Sequence, residues 1–123
     1  MEPGPITRVL ADPELIGQVL RNLLGNALKH TPPGTLVTLR ASRANGRVRI
    51  EVADEGPGIH QDDLPRIFKK FGRGHDAQGH RRAGMGLGLY LSRRIIEVHG
   101  GGLIVETEIG RGTTFSFELE EVT

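Results

Sequence analysis

Three groups of residues in this chain have the types and spacing for chemistry on a phosphorylated ligand. Asn22, Asn26 and Lys29 lie at i, i+4 and i+7, so on a helix they share one face. Two carboxamides and an amine in a row offer neutral oxygens to a hard cation such as Mg2+ and a positive charge to a phosphate. A plain solvated helix face fits the same pattern. Asp54-Glu55-Gly56-Pro57-Gly58 follows an alternating apolar run. A carboxylate at a strand end can accept a hydrogen bond from a purine amine, and glycines let the backbone approach a base closely. An ordinary Gly-Pro turn fits there too. Gly84-Met85-Gly86-Leu87-Gly88-Leu89 opens a second helical period. Glycines at a helix N-terminus offer backbone N–H groups and the positive end of the dipole to an anion, or they act as a hinge. No Lys-Ser/Thr follows, so this is not a Walker A loop. Leu89 stands where a G-x-G-x-x-G pattern needs its last glycine.

The elements that must position these groups are legible from local signals. Ile6 to Leu10 reads as a short strand. Asp12-Pro13 is a helix start, with Asp as N-cap and Pro at the first helical position. Leu15, Val19, Leu20, Leu23, Leu24, Ala27 and Leu28 then recur at helical spacing to about His30, before Pro32-Pro33-Gly34. Val37 to Ser42 and Arg47 to Val52 alternate apolar and polar residues around Asn45-Gly46, a strong hairpin signal. Gln61 to Phe71 suggests a short helix, and residues 72–83 read as a mobile loop almost without apolar residues. A second long helix spans about Gly86 to His99 and stops at Gly100-Gly101-Gly102. Leu103 to Glu108 and a strand through Phe115, Phe117 and Leu119 form a last hairpin around Gly110-Arg111-Gly112. The acidic run Glu118 to Glu121 reads as a plain amphipathic edge strand. Helices between hairpin strands predict an α+β two-layer sandwich with one sheet face buried, in a single domain over residues 1–123.

Composition narrows the function. The 123 residues carry 16 Lys+Arg against 15 Asp+Glu, a net charge of +1, which gives no global case for nucleic acid or an anionic membrane as partner. Cysteine is absent, so disulfides, thiolate zinc sites and cysteine nucleophiles are excluded. No apolar run approaches the ~20 residues of a membrane span. Met1-Glu2-Pro3-Gly4-Pro5 does not read as a signal peptide. A cytoplasmic location is expected, and a larger, inner-membrane-anchored parent is compatible with it. Positive charge is concentrated locally: Arg66, Lys69, Lys70, Arg73, Arg81 and Arg82 face a single acid, Asp76.

In this order and spacing, the clusters resemble the ATP-binding catalytic domain of bacterial sensor histidine kinases. That domain belongs to a wider group with gyrase, mismatch-repair and heat-shock chaperone ATPases. Asn22 to Pro32 is similar to its N box, Asp54 to Gly58 to its G1 box, and Phe68-Lys69-Lys70-Phe71 with Arg73 to its F box. Gly84 to Gly88 resembles G2, and Gly110-Arg111-Gly112-Thr113 its final glycine-threonine turn. The resemblance covers about Asp12 to Leu119. It implies a mixed, mostly antiparallel sheet of about five strands under about three helices, with ATP beneath a lid at about 72–83. It implies that Asn26 coordinates Mg2+ and that Asn22, Lys29 and His30 face phosphates and ribose; many relatives have Tyr at the place of His30. Asp54 would accept the adenine amine, with Gly56, Gly58 and Ile59 shaping the base pocket and Thr113 near the base. Gly84, Gly86 and Gly88 would close over the phosphates, with Leu87 placing the helix end and Met85 and Leu89 counted in the same nucleotide-binding run, and Arg73 would meet the γ-phosphate.

Implied partners are ATP or ADP, the dimerisation and phosphoacceptor domain of the same parent, and a response regulator downstream. Nucleic acid is not expected, and the isolated domain is expected to be a monomer. The acceptor histidine of such kinases lies on a separate helical hairpin, for which this chain has no counterpart. His75-Asp76 has the acceptor's local pattern but sits in the glycine-containing loop, and His60, His80 and His99 read as solvent-facing or cap residues. The alternatives sharing the fold are a gyrase- or chaperone-type ATPase switch and an anti-sigma-factor serine kinase. Hydrolytic relatives carry a glutamate four residues before the Mg2+ asparagine. Asn22 holds that position here and supplies no basic carboxylate.

Overall fold

We describe the chain from a computed structural model, over residues 8–69 and 88–122. The elements in order are β1 (Arg8–Val9), α1 (Pro13–Lys29), β2 (Val37–Ala44), β3 (Arg47–Asp54), α2 (Leu64–Ile67), α3 (Gly88–Val98), β4 (Ile104–Glu108) and β5 (Gly112–Val122). The α+β architecture is the expected one. The expectations for Ile6, Phe71 and Gly86 lie outside the described residues, as does the lid at 72–83. The short helix is confined to Leu64–Ile67, one turn, because Gln61 to Asp63 form a turn before it.

Local chemistry explains α1. Asp12 Oδ1 accepts hydrogen bonds from the N–H groups of Glu14 (3.0 Å) and Leu15 (3.2 Å), satisfying two donors that the first turn leaves open. Asp12 N–H in turn donates to His99 Nε2 at 3.0 Å, while His99 Nδ1 donates to Ile95 O at 2.8 Å. His99 thus ties the start of α1 to the end of α3. Replacing Asp12 by Ala removes both caps and is expected to cost about 1 kcal/mol of stability. A chemical denaturation curve reads it directly, and an unchanged midpoint would contradict the cap.

Every strand pairing among the described residues is antiparallel, which corrects the mixed sheet implied by the resemblance. Tight turns join β2 to β3 and β4 to β5, and a tight turn permits only antiparallel neighbours. Asn45 and Gly46 make the first turn with φ of 56° and 75°, as a two-residue hairpin requires. The strand order is β1-β5-β3-β2, with β4 on the β1 side of β5. This places β5 inside the sheet and corrects the reading of Glu118 to Glu121 as an edge. Glu118 lies opposite Arg49 and Glu120 opposite Arg47 on β3, while Glu121 lies opposite Val9 on β1. The acidic residues are tolerated there because they alternate onto the sheet face away from the helices or reach its end. Arg47–Glu118 and Arg49–Glu51, both 3.1 Å, pair such charges.

The other face of the sheet carries Val52, Phe115, Phe117 and Leu119, all buried against Ile16, Val19, Leu23 and Ala27 of α1 and Leu89 and Ile96 of α3. Period two on the strands and period 3.6 on the helices bring these together. Leu28, which shares the helical spacing of the apolar residues of α1, is 69% exposed. It projects from the last turn of α1 on the side away from the sheet, and Ile16 fills the core in the first turn instead.

Candidate functional site

One narrow pocket opens where the last turn of α1 passes over the ends of β3 and β5. Its lining combines Asn26, Ala27, His30 and Thr31 from α1 and its exit, Val52 and Asp54 from β3, Pro57, Gly58 and Ile59 from the following loop, and Thr113 and Phe115 from β5. Register dictates this convergence: Asp54 lies directly opposite Thr113, and Val52 opposite Phe115, all on the helix-covered face. Asn26 is 8% exposed because it lies on the sheet-facing side of α1. Thr31 Oγ1 donates to Ala27 O at 2.7 Å and closes the helix end beside the pocket. The pocket combines the apolar Ala27, Val52, Ile59 and Phe115 with the polar Asn26, Asp54 and Thr113, a combination suited to a flat heteroaromatic ring with a polar edge.

The loop after β3 is held from both directions. Asp54 Oδ1 accepts from Gly56 N–H at 2.9 Å, a local Asx turn. Gly110 N–H donates to Pro57 O at 2.9 Å. Ile59 N–H donates to Thr107 Oγ1 at 2.8 Å, and that hydroxyl lies 2.8 Å from Thr113 Oγ1 and 3.2 Å from Gly112 O. Gly58 has φ of +81°, and a Cβ there would stand 2.5 Å from Glu108 O. Only glycine lets the loop lie this close to the β4–β5 turn.

A second contact joins α1 to α3. Asn22 Nδ2 donates to Gly88 O at 3.4 Å and Ser92 Oγ at 3.3 Å, with Ser92 fully buried. The amide nitrogen of Asn22 therefore faces α3, and its oxygen is the part left for a ligand. Below this, Phe68 packs edge-on against Phe115 with ring centroids 6.3 Å apart, and the Arg93 guanidinium lies 5.4 Å from the centre of the Phe68 ring.

Residues 11–123 match the family described as histidine kinase-, DNA gyrase B- and HSP90-like ATPases. The chain belongs to this family. It is 41% identical over 118 residues to the adaptive-response sensory kinase SasA of Synechococcus elongatus, covering 95% of this chain and 30% of that protein. It is 44% identical over 111 residues to the sensor histidine kinase AruS of Pseudomonas aeruginosa, covering 87% of this chain and 11% of that protein. The chain thus spans less than a third of these relatives. Among solved structures, the catalytic domain of histidine kinase ThkA superposes with a TM-score of 0.74 at 34% identity, covering 91% of this chain and 70% of that one. Full-length ShkA in complex with AMPPNP superposes with a TM-score of 0.79 at 40% identity, covering 98% of this chain and 24% of that one. In sequence and in fold the chain is thus similar to the catalytic domains of histidine kinases.

Within this domain, Asn26, His30, Asp54, Gly58, Ile59 and Thr113 meet at one pocket. Gly56 is buried in the loop behind them. Asn22 and Gly88 meet each other at the α1–α3 contact instead. Lys29 is exposed at the end of α1. Leu89 is 1% exposed and belongs to the core rather than to a ligand surface. Arg73, Gly84, Met85, Gly86 and Leu87 lie outside the described residues, as do His75 and His80. His60 is exposed and its Nδ1 accepts from Asp62 N–H at 3.1 Å, a local turn. Sequence reasoning missed Thr107 and the pocket walls Ala27, Val52 and Phe115. The walls carried only a core pattern, and Thr107 looked like a polar residue on an alternating strand.

Proposed function

We propose that this domain binds Mg-ATP in the pocket and donates the γ-phosphoryl group to a histidine on a separate dimerisation and phosphoacceptor domain of the same parent, upstream of a response regulator. The observation that carries the reading is the convergence of Asp54 and Thr113 with Asn26 around one apolar slot. Ala27, Val52, Ile59 and Phe115 would flank the faces of adenine. The carboxylate of Asp54 would accept from its exocyclic amine, through the oxygen that the Gly56 N–H does not use.

Asn26 fits a magnesium ligand. Its carboxamide opens on the pocket, nearly buried, with no hydrogen bond to its side chain among the described residues. No group of three or more His, Asp or Glu able to hold a metal occurs among the described residues. Mg2+ suits such a site, because it is usually held by one or two protein oxygens together with phosphates and water. When bound, the ion would neutralise charge on the phosphates. Asn22 would orient the phosphates through its oxygen, held in place by Gly88 and Ser92. Lys29, Arg73 and the backbone of residues 84–88 would add positive character. Phosphoryl transfer needs little more than such positioning and neutralisation. Asn22 supplies no base for water, which favours an external acceptor over hydrolysis.

Adenine should be preferred over guanine, whose carbonyl would face the acceptor Asp54 at a cost of about 1–3 kcal/mol. Calorimetric titration with ATP and GTP measures this, and equal affinities would remove Asp54 from the purine pocket. The Asx turn makes Asp54→Asn the sharper variant. Its carbonyl oxygen can still accept from Gly56 N–H while its amide now donates to the base, so preference should move toward GTP.

A further inference from the structure

We propose that Thr107 is a positioning residue for the base of the bound nucleotide, one hydroxyl that sets both the loop after β3 and the hydroxyl of Thr113. The inference rests on the purine reading of the pocket given above. Thr107 does not line the pocket. It stands on β4 directly opposite Thr113 on β5, and this register brings the two hydroxyl oxygens to 2.8 Å. The same oxygen receives Ile59 N–H at 2.8 Å. Ile59 and Thr113 both line the pocket, the first from the loop and the second, 5% exposed, from the sheet.

A threonine hydroxyl has one proton and two lone pairs. With one lone pair taken by Ile59 N–H, the proton of Thr107 has two destinations, Thr113 Oγ1 or Gly112 O at 3.2 Å. If it goes to Gly112 O, Thr113 donates to Thr107 and turns lone pairs toward the pocket. If it goes to Thr113, the proton of Thr113 is left for the pocket. Adenine places a ring-nitrogen acceptor beside the amine that Asp54 takes. Adenine therefore selects the second arrangement, with Thr107 donating to Thr113 and Thr113 donating to the ring. Hydrogen bonds in such a chain polarise one another. Thr107 acts only on the base side, because its partners are the loop and Thr113 and none of them belongs to α1 or α3.

The test compares a ligand with a base and one without. Thr107→Val keeps the branched shape and removes the oxygen. ADP affinity should fall about tenfold, while affinity for Mg-tripolyphosphate stays within about twofold. Thr107→Ser, which restores the hydroxyl, should bring ADP back to within about threefold of the original. Adding Thr113→Val to Thr107→Val should cost much less than the sum of the two single changes, because both interrupt one chain. Equal losses for ADP and tripolyphosphate, an unchanged ADP affinity, or no rescue by serine would each overturn the proposal. If Thr107→Val does not fold, amide exchange in the unsubstituted domain decides. Ile59 N–H should gain protection with ADP and not with tripolyphosphate, and equal protection by the two overturns the proposal. An unsubstituted domain that binds no ADP would overturn the purine reading and this inference together. Normal ADP binding that is indifferent to Thr107 would overturn this inference alone.

Discussion

Asn26→Ala is expected to reduce phosphoryl transfer to a separately supplied dimeric acceptor hairpin by about three orders of magnitude. The side chain sits nearly buried on the pocket wall, at the turn of α1 that passes over Asp54 and Thr113. Its loss takes away the protein oxygen proposed to hold Mg2+, and the triphosphate then meets the acceptor with much less of its charge opposed. Folding should survive, since that side chain has no hydrogen bond among the described residues. Radiolabelled ATP and the acceptor hairpin provide the readout, with ADP affinity in EDTA as the control for a preserved base pocket. Transfer within tenfold of the unsubstituted domain would defeat the magnesium assignment. Arg73, outside the described residues, is expected to behave differently: its loss should slow transfer while leaving binding nearly intact. Without an acceptor the domain should turn over ATP very slowly. Steady hydrolysis at gyrase-like rates, lost on Asn22→Ala, would instead support the ATPase-switch alternative.

The second large effect concerns stability. Gly112 begins β5 at φ of +127°, and a Cβ at this residue would collide with the backbone carbonyl of Asp54. Neither strand can yield, because Asp54 is paired on one edge with Val37 and on the other with Thr113. Gly112→Ala therefore combines a backbone conformation that L side chains rarely adopt with a clash against an inner strand. A cost of about 4 kcal/mol or more is expected, enough to leave a small domain substantially unfolded. Gly110→Ala is the control. It also has a positive φ, of 85°, but nothing lies within 4 Å of the added Cβ, so about 1 kcal/mol is expected. Urea denaturation followed by circular dichroism compares the two. A Gly112→Ala midpoint equal to that of Gly110→Ala would show that the close approach of β5 to Asp54 is not rigid.

The local elements were legible because their signals act over a few residues. Asp12-Pro13 started α1 where expected, and Asn45-Gly46 turned β2 into β3. The spacing of Asn22 and Asn26 on one helix, and Asp54 at the end of its strand, were also readable. Three matters were not readable, each for a non-local reason. Helical spacing groups Leu28 with Leu24 and Ala27, but which side of the last turn meets the sheet depends on how α1 crosses β3. The alternation of Glu118 to Glu121 is compatible with an edge, and only the pairing of both β3 and the β4 and β1 strands to β5 makes it interior. Asn22 reads as a phosphate-facing carboxamide, yet its nitrogen is committed to Gly88 and Ser92, 66 and 70 residues away in the chain.

By itself, then, the sequence determined the helix and hairpin segments, the family, and the residue types available to a nucleotide. Those follow from backbone preference and side-chain period, which are local properties. Tertiary structure alone decided which of these residues share a pocket, that β5 is an inner strand, and that Thr107 joins Ile59 to Thr113. These depend on strand order and register. A strand's side chains fall on a given face by alternation, but their neighbours across the sheet are chosen by which strand pairs beside them.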